Sequence, residues 1–470
     1  MNTALPVVVI GAGPVGLAAA AHLLERGLTP LVLEAGDGVG AGMLRWAHVR
    51  MFSPWEFNID RAAAALLAKQ GWEKPDVGQF PTGGEVVERY LKPLAATPEI
   101  QPRLRANARV IAVTKQRRDR MKDSQRNEVP FLVRYVDATG EHEVLAQAVI
   151  DASGTIGTPN PMGASGVPAL GERALQAQIF YGMPDVLGIH RGRYAGKRVL
   201  VVGSGHSAFN VLGDLAALAR QAPGMRIEWA IRRGSLQRVL GGGEQDQLKE
   251  RGRLGMTIAK LVEDGILHVT TGFHLDRLET TAEGIVAHGA GQQIGPVDEI
   301  VAATGFRPDL GVLSELRIAL DHGTQAPVAL APLIDPNLHS CGSVRPHGAE
   351  ELKHPDAGVY IVGMKSYGRA PTFLLLTGYE QVRSVVAAIA GDWDAARRVE
   401  LVLPETGVCI TQFAEADAAE PAVSCCGPAP VAANACGAGA SVAGSERKSG
   451  CGDGAQADRP LQAAPEACCQ

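Results

Sequence analysis

The sequence predicts an α/β protein built around two β-α-β units, and three features of the 470-residue chain lead to this prediction. Two glycine-rich turns each follow a short strand rich in β-branched residues and lead directly into a helix. A second apolar strand closes each unit. The first unit ends in an acid and the second in two arginines. Strands that are apolar along their whole length are typical of a parallel sheet covered on both faces.

The first unit occupies residues 7–34 and carries Gly11, Gly13 and Gly16 in the spacing G-x-G-x-x-G. We expect Gly11 to allow a tight turn, Gly13 to let a diphosphate approach the backbone, and Gly16 to let the helix and strand pack closely. Pro14 suits the first helical turn, where its missing N–H costs nothing. The positive end of the helix dipole and its free N–H groups would then face a diphosphate.

Glu34 closes the second strand of this unit. In a dinucleotide-binding unit, an acid at this place accepts hydrogen bonds from an adenosine ribose and disfavours a 2′-phosphate. The first unit is therefore predicted to bind FAD or NAD rather than NADP.

The second unit repeats the pattern with Gly203, Gly205 and Ala208 after an apolar strand. His206 and Ser207 lie in this turn, and we expect them to contact a nucleotide rather than to act as base and nucleophile.

The second strand of this unit ends in Arg232 and Arg233. Two guanidinium groups at this place would bind a 2′-phosphate and disfavour NADH, so the unit is predicted to bind NADPH. The alternative is a pair of surface arginines without a ligand.

Composition restricts the class of protein. The chain is 46% hydrophobic and 20% charged, with a net charge of −5, as in a globular protein. No basic field favours nucleic acid or an anionic membrane surface, and no apolar stretch reaches the length of a membrane span. No charged leader precedes the first apolar segment, so a cytoplasmic location is predicted.

An aromatic segment follows the first unit in a chain that is otherwise poor in aromatic residues. Trp46, Phe52, Trp55 and Phe57 cluster there. They are predicted to cover a flat cofactor ring. The alternative is a small core beneath a long loop.

The eight cysteines are unevenly placed, and only Cys341 and Cys409 precede residue 420. In a reducing compartment, metal or thiol chemistry is favoured over structural disulfides. Cys341 is a candidate substrate contact, with an inert buried thiol as the alternative. The composition of the tail predicts disorder without a ligand. Soft thiolates suit thiophilic ions, so the tail is a candidate site of metal or metalloid capture. The candidate ligands are Cys425, Cys426, Cys468 and Cys469.

The acidic first unit, the arginine-tipped second unit and the sequence ATGFRPD at residues 303–309 together resemble the two-dinucleotide-binding-domain flavoproteins, over about residues 1–390. In that superfamily, FAD occupies the first domain, and NADPH docks on an inserted second domain to reduce the flavin. The segments ASGT at 152–155 and ATGF at 303–306, the latter with Thr304 and Gly305, match the family's junction strands.

The resemblance implies a discontinuous FAD-binding domain and an inserted NADPH-binding domain. The expected boundaries are 1–160 and 306–400 for the FAD domain, 161–305 for the NADPH domain, and 401–470 for a flexible cysteine-rich tail.

Two branches of the superfamily compete. His190 and Tyr194 resemble the second half of a fingerprint of flavin-containing monooxygenases, although residues 180–189 do not match its first half. Disulfide reductases instead need a redox cysteine pair beside the flavin, and the body of this chain has none.

The last strand departs from the family, because Gly363 is followed by Met364, Lys365 and Ser366 rather than by an acid. Backbone and Ser366 contacts are expected to replace that acid.

The vicinal cysteines resemble the metal-capturing pair of mercuric reductases, and cysteine-rich ends recur in arsenic-resistance proteins. The whole chain is similar to flavin-dependent oxidases that convert trivalent organoarsenicals to pentavalent ones. This resemblance implies an NADPH-dependent monooxygenase that uses O₂ to oxidise a small substrate at a soft As, S or N atom. The alternatives are an NADPH-driven reductase of a metal or metalloid delivered by the tail thiols, and a flavin enzyme with a passive metal-binding tail. The cofactor carries the chemistry, so no side-chain acid or base is required.

Overall fold

The computed structural model describes residues 5–240, 249–338, 344–370 and 374–401. Two five-stranded sheets form its framework. The first has the order β16-β7-β1-β2-β3, and its neighbouring strands are parallel. It combines strands from both ends of the described chain: β1 (Val7–Ile10), β2 (Pro30–Leu33), β3 (Leu104–Arg105), β7 (Ala148–Asp151) and β16 (Val359–Ile361).

The second sheet is also parallel and has the order β11-β10-β9-β15-β8. Its strands come from the middle of the chain: β8 (Ile179–Tyr181), β9 (Arg198–Val202), β10 (Arg226–Ala230), β11 (Leu267–Thr270) and β15 (Glu299–Ala302). The α/β class and the parallel sheets predicted from the sequence are confirmed.

Each parallel sheet is accompanied by a three-stranded antiparallel sheet. The strands of these two sheets are β4 (Arg109–Lys115), β5 (Phe131–Asp137) and β6 (Gly140–Ala146), then β12 (Leu275–Thr281), β13 (Gly284–Gly289) and β14 (Gln292–Val297).

The helices connect and cover the strands. The α-helices are α1 (Pro14–Glu25), α2 (Ala41–Leu44), α3 (Arg61–Ala68), α4 (Gly83–Val86), α5 (Lys92–Ala95), α6 (Arg191–Tyr194), α7 (His206–Ala219), α8 (Gln237–Leu240), α9 (Lys249–Glu263), α10 (Ala331–Ile334), α11 (Ala349–Leu352), α12 (Leu375–Ile389) and α13 (Trp393–Arg397). A π-helical turn over Val87–Leu91 joins α4 to α5.

The first sheet is covered on both faces, which explains its uninterrupted apolar strands. In β1, Val7 and Val9 pack into a core with α1 and α12, while Val8 and Ile10 pack against the antiparallel sheet β4-β5-β6. All four residues are buried. The second sheet has the same arrangement, with α7 and α9 on one face and β12-β13-β14 on the other. This construction leaves the carboxyl edges of both parallel sheets for binding, as in other open α/β sheets.

Candidate functional site

The first glycine turn lies between β1 and α1. Gly11 has φ of +98°, and a Cβ there would lie 2.9 Å from the carbonyl oxygen of Ala152. A Cβ on Gly16 would lie 2.0 Å from the carbonyl oxygen of Gly11, so the helix can approach the turn this closely only with glycine. Gly13 differs, because no atom lies within 4 Å of its would-be Cβ. The backbone at Gly13 therefore faces open space at the N-terminus of α1, immediately before Pro14.

Glu34 connects this turn to the end of β2. Its Oε2 accepts a hydrogen bond from the backbone N–H of Ala12 at 2.6 Å, and its Oε1 accepts one from Gly36 at 2.7 Å. Each carboxylate oxygen keeps a lone pair for a further donor. The backbone thus holds the acid beside the glycine turn, in an orientation suited to accepting hydrogen bonds from a ligand.

A buried ion pair lies at the end of β7, and sequence reasoning did not identify it. Lys365 Nζ donates to Asp151 Oδ2 at 2.7 Å, and the two side chains are 1% and 0% exposed. Lys365 also donates to Ser153 Oγ at 3.0 Å. Lys365 therefore bridges Asp151 and Ser153, two residues after Gly363.

Gly363, after β16, is fixed by a second buried network. Its N–H donates to Gln381 Oε1 at 2.7 Å, and Gln381 Nε2 in turn donates to Ser366 Oγ and to His347. Burial lowers the pKa of His347 below the ordinary value for histidine. The expectation that Ser366 replaces the missing acid by contacting the cofactor is wrong, because Ser366 is fully buried and its hydroxyl donates to the carbonyl of Gly363.

The second glycine turn has the same construction as the first. Gly203 has φ of +135°, and a Cβ there would lie 2.3 Å from the carbonyl oxygen of Ala303. The backbone at Gly205 faces open space and precedes α7, which begins with His206 and Ser207. Ala208 is fully buried against the sheet.

Arg232 and Arg233 follow β10 at the carboxyl edge of the second sheet. The strand ends at Ala230, one residue earlier than the sequence pattern predicted. The Arg232 side chain is exposed and that of Arg233 is half-buried. The backbone of both is fixed, because the Arg232 carbonyl accepts from His274 and the Arg233 carbonyl accepts from Gly272.

Two neighbouring segments, 155–160 and 303–307, carry the chain between the two parallel sheets. Thr304 Oγ1 donates to the carbonyl of Asn160 at 2.7 Å, and the Asn160 N–H donates to the carbonyl of Gly305 at 2.9 Å. Arg307 Nε donates to Asn160 Oδ1 at 2.8 Å. Thr304 and Gly305 thus stabilise the crossing between the sheets.

A cleft between the two sheets adjoins this crossing. Half of the residues that line it are aromatic, and one is an arginine: Arg45, Trp46, Ile156, Phe180, Tyr181, Gly182, Met183 and Phe306. Arg45 donates to the carbonyl of Ile156 at 2.7 Å. The cleft is an apolar space in which a small ligand could be shielded from water.

The aromatic segment divides between the two roles considered for it. Trp55 is 1% exposed and belongs to the core around α1, so a cofactor cover is wrong for this residue. Trp46 lines the cleft, and the Phe52 ring lies 5.3 Å from the His206 ring at the second glycine turn. Phe57 is half-buried.

Two acidic residues that influence each other are Asp214, on α7, and Asp185, which follows the cleft residue Met183 by two positions. Burial, reinforced by the neighbouring Asp185, raises the pKa of the Asp214 carboxyl to about 6. Burial lowers the pKa of His48, against the opposing effect of Asp185. His190 Nδ1 accepts a hydrogen bond from the Asp185 N–H at 3.1 Å, and Tyr194 is fully buried behind α7.

The cysteine predictions lie outside the described residues. This holds for Cys341 and for the capture candidates Cys425, Cys426, Cys468 and Cys469. Within residues 5–240, 249–338, 344–370 and 374–401, no group of three or more His, Cys, Asp or Glu side chains is arranged to hold a metal ion. In the same part of the chain, no helix combines the length and apolar character required to cross a bilayer.

Solved structures with the same fold include a disulfide reductase and a monooxygenase. The bacillithiol disulfide reductase Bdr from Bacillus cereus superposes with a TM-score of 0.59 at 20% identity, over 83% of this chain and 99% of that one. The cadaverine monooxygenase DfoA from Erwinia amylovora, a protein of desferrioxamine biosynthesis, has a TM-score of 0.58 at 16% identity, over 86% and 99%.

Sequence comparison finds relatives among monooxygenases. The indole-3-pyruvate monooxygenase YUCCA6 of Arabidopsis thaliana is 27% identical over 230 residues, 48% of either chain. The chain thus spans about half the length of this relative. Residues 8–332 match the family model described as pyridine nucleotide-disulphide oxidoreductase. The predicted resemblance to flavoproteins of the monooxygenase type is confirmed, and the chain belongs to the pyridine nucleotide-disulphide oxidoreductase family.

Proposed function

We propose that this protein is an NADPH-dependent, FAD-containing monooxygenase. One observation carries the proposal. Two glycine turns of the same construction lie at the carboxyl edges of two parallel sheets, one beside Glu34 and the other close to Arg232 and Arg233. An acidic edge suits a ribose with free hydroxyls, and an arginine-rich edge suits a ribose 2′-phosphate.

The residues of the first turn fit FAD. A diphosphate would lie over Gly13, where the backbone faces open space, at the positive end of α1. Gly11 and Gly16 have the conformation and the close packing that bring the helix to this position, and Pro14 begins the helix. Glu34 would accept hydrogen bonds from the adenosine ribose. Gly363 packs against Val15 in the first turn of α1.

The residues of the second turn fit NADPH. The N-terminus of α7, with Gly203, Gly205, Ser207 and Ala208, would hold the diphosphate. Arg232 and Arg233 would bind the 2′-phosphate. By this proposal, residues 1–160 and 306–400 form the FAD-binding domain and residues 161–305 the NADPH-binding domain, with Thr304 and Gly305 at the crossing.

FAD, when bound, supplies the transfer of electrons from NADPH to O₂ that monooxygenation requires. The side chains of this protein would orient the two nucleotides and exclude water. The cleft lined by Trp46, Phe180 and Phe306 would hold the substrate in a dry, mainly apolar environment. The proposed reaction requires no side-chain acid or base, since the cofactor carries the chemistry.

We propose a small substrate with a soft nucleophilic atom, namely a trivalent organoarsenical or a sulfur or nitrogen compound. Relatives that are named monooxygenases support the reaction type. The vicinal cysteines at 425–426 and 468–469 support a thiophilic substrate. They also favour a second candidate function, an NADPH-driven reductase of a metal or metalloid.

Oxygen stoichiometry separates the two candidates. The purified full-length protein should be yellow and should oxidise NADPH faster when substrate and O₂ are both present. A monooxygenase consumes one O₂ for each product molecule and stops without oxygen. A reductase continues anaerobically, and a protein that binds no flavin would contradict both.

A further inference from the structure

The ion pair of Asp151 and Lys365 lies directly beneath the first glycine turn. Asp151 is the last residue of β7 and the ladder partner of Ile10, which immediately precedes Gly11. Both charged side chains are enclosed, and removing two charges from water is costly unless their hydrogen bonds are well satisfied. Well-packed apolar side chains often stabilise a core at least as well as such a pair. The placement of the pair therefore suggests a role at the nucleotide edge.

Ser153 is the exposed member of this cluster. Its hydroxyl donates to Asp151 Oδ1 at 2.6 Å and accepts from Lys365 Nζ at 3.0 Å. A serine hydroxyl has one hydrogen and two lone pairs. Asp151 takes the hydrogen and Lys365 takes one lone pair, so only an acceptor lone pair remains. Ser153 Oγ can then bind an O–H or N–H donor, but it cannot donate to a phosphate oxygen.

The order of the sheet indicates which part of a ligand meets Ser153. In the order β16-β7-β1-β2-β3, Glu34 follows β2 on one side of the glycine turn and Ser153 follows β7 on the other. A ligand with its adenosine ribose at Glu34 and its diphosphate at Gly13 extends its other half toward β7. In FAD, the ribityl chain is the first group with hydroxyls beyond the diphosphate.

We propose that Asp151 and Lys365 are positioning residues that hold Ser153 Oγ as a hydrogen-bond acceptor for a ribityl hydroxyl of FAD. This inference rests on the proposed binding of FAD at the first glycine turn. Lys365 acts through Ser153 and not by touching the ligand, because its side chain is enclosed.

The test uses the full-length protein stripped of flavin and titrated with FAD or with ADP, which lacks the ribityl chain. The variants are Ser153→Ala, the charge-neutral double variant Asp151→Asn/Lys365→Met, and the triple combination. Ser165→Ala, at an exposed serine with no hydrogen bond within the described part of the chain, is the matched control. The thermal midpoint of each apoprotein reports any purely structural effect.

Loss of one oriented hydrogen bond should raise the FAD dissociation constant of Ser153→Ala about tenfold and leave ADP binding within about twofold of wild type. The double variant should lose FAD affinity by a similar factor. The triple variant should bind FAD only slightly more weakly than Ser153→Ala does, since the pair acts through Ser153. The control should bind as wild type does.

Three results would overturn the inference. These are unchanged FAD binding by Ser153→Ala, multiplicative losses in the triple variant, or an equal loss for ADP. A wild-type protein that binds no FAD would instead overturn the proposed function.

Discussion

Neutralising Arg232 and Arg233 tests the assignment of the second glycine turn. The structure places both residues just beyond β10, at the sheet edge next to Gly203 and Gly205, with their backbone fixed by His274 and Gly272. The double variant Arg232→Gln/Arg233→Gln should therefore leave the turn and the strand in place. It should remove the cationic partners of a 2′-phosphate.

Hydrogen bonds to charged groups contribute about 1.5–3 kcal/mol each, and the exposure of Arg232 favours the lower end of that range. Two such contacts amount to roughly 3 kcal/mol, or about a hundredfold in specificity. We expect the ratio of kcat/KM for NADPH to kcat/KM for NADH to fall by about this factor. The loss should appear mainly in the KM for NADPH.

The assay is initial-rate oxidation of both nucleotides at fixed ionic strength. Arg220→Gln, at the opposite end of α7, removes a positive charge from the same unit and should leave the ratio unchanged. Each single arginine variant should show an intermediate ratio. A double variant with the nucleotide preference of wild type would refute the reasoning.

Other predictions concern the first unit and its core. Gly13→Ala should change the free energy of unfolding by less than about 1 kcal/mol yet weaken FAD binding in a titration. Gly16→Ala, whose Cβ would lie 2.0 Å from Gly11 O, should destabilise by about 3 kcal/mol or more. Arg126→Met leaves Asp356 buried without its ion-pair partner and should lower the free energy of unfolding by about 3–5 kcal/mol. Lys92→Met, at an exposed pair, should cost less than about 1 kcal/mol. Burial alone would lower the pKa of His22, but hydrogen bonds to Asp60 and Glu25 outweigh it and raise the pKa to about 9. The folded state thus favours the protonated ring, so this stabilisation is complete below pH 6.5 and is lost as the pH rises through about 9. The effect amounts to about 3 kcal/mol. His22→Gln should abolish this pH dependence when the free energy of unfolding is measured against pH. These expectations would be contradicted by equal losses of stability in Gly13→Ala and Gly16→Ala, or in Arg126→Met and Lys92→Met. The same pH dependence of stability in wild type and His22→Gln would contradict the last one.

Sequence reasoning was most effective where the structure is local. The glycine turns, their strands and helices, and the positions of Glu34 and Arg232 follow from spacings of a few residues. The burial of both faces of β1 also follows from its β-branched run, because a strand covered on both faces requires apolar residues at every position.

The cluster beneath the first turn could not be found in this way. Lys365 and Asp151 are 214 residues apart in sequence, and no local pattern links them. One hint was present in the sequence, because Gly363 is followed by Met364, Lys365 and Ser366 instead of the expected acid. Trp55 likewise gave no sign that it packs into the core, because aromatic composition alone does not distinguish a core from a ligand pocket.

The hydrogen-bonded crossing between Asn160 and Gly305 has a consequence for how such a chain can be rebuilt. The entry and exit segments meet at the 2.9 Å hydrogen bond from the Asn160 N–H to the Gly305 carbonyl, so the intervening 144 residues begin and end close together. None of the strands of that sheet lies inside the segment. The segment could be excised and the ends rejoined by a short turn, or exchanged for a unit of different nucleotide preference, without changing the order of the strands that remain.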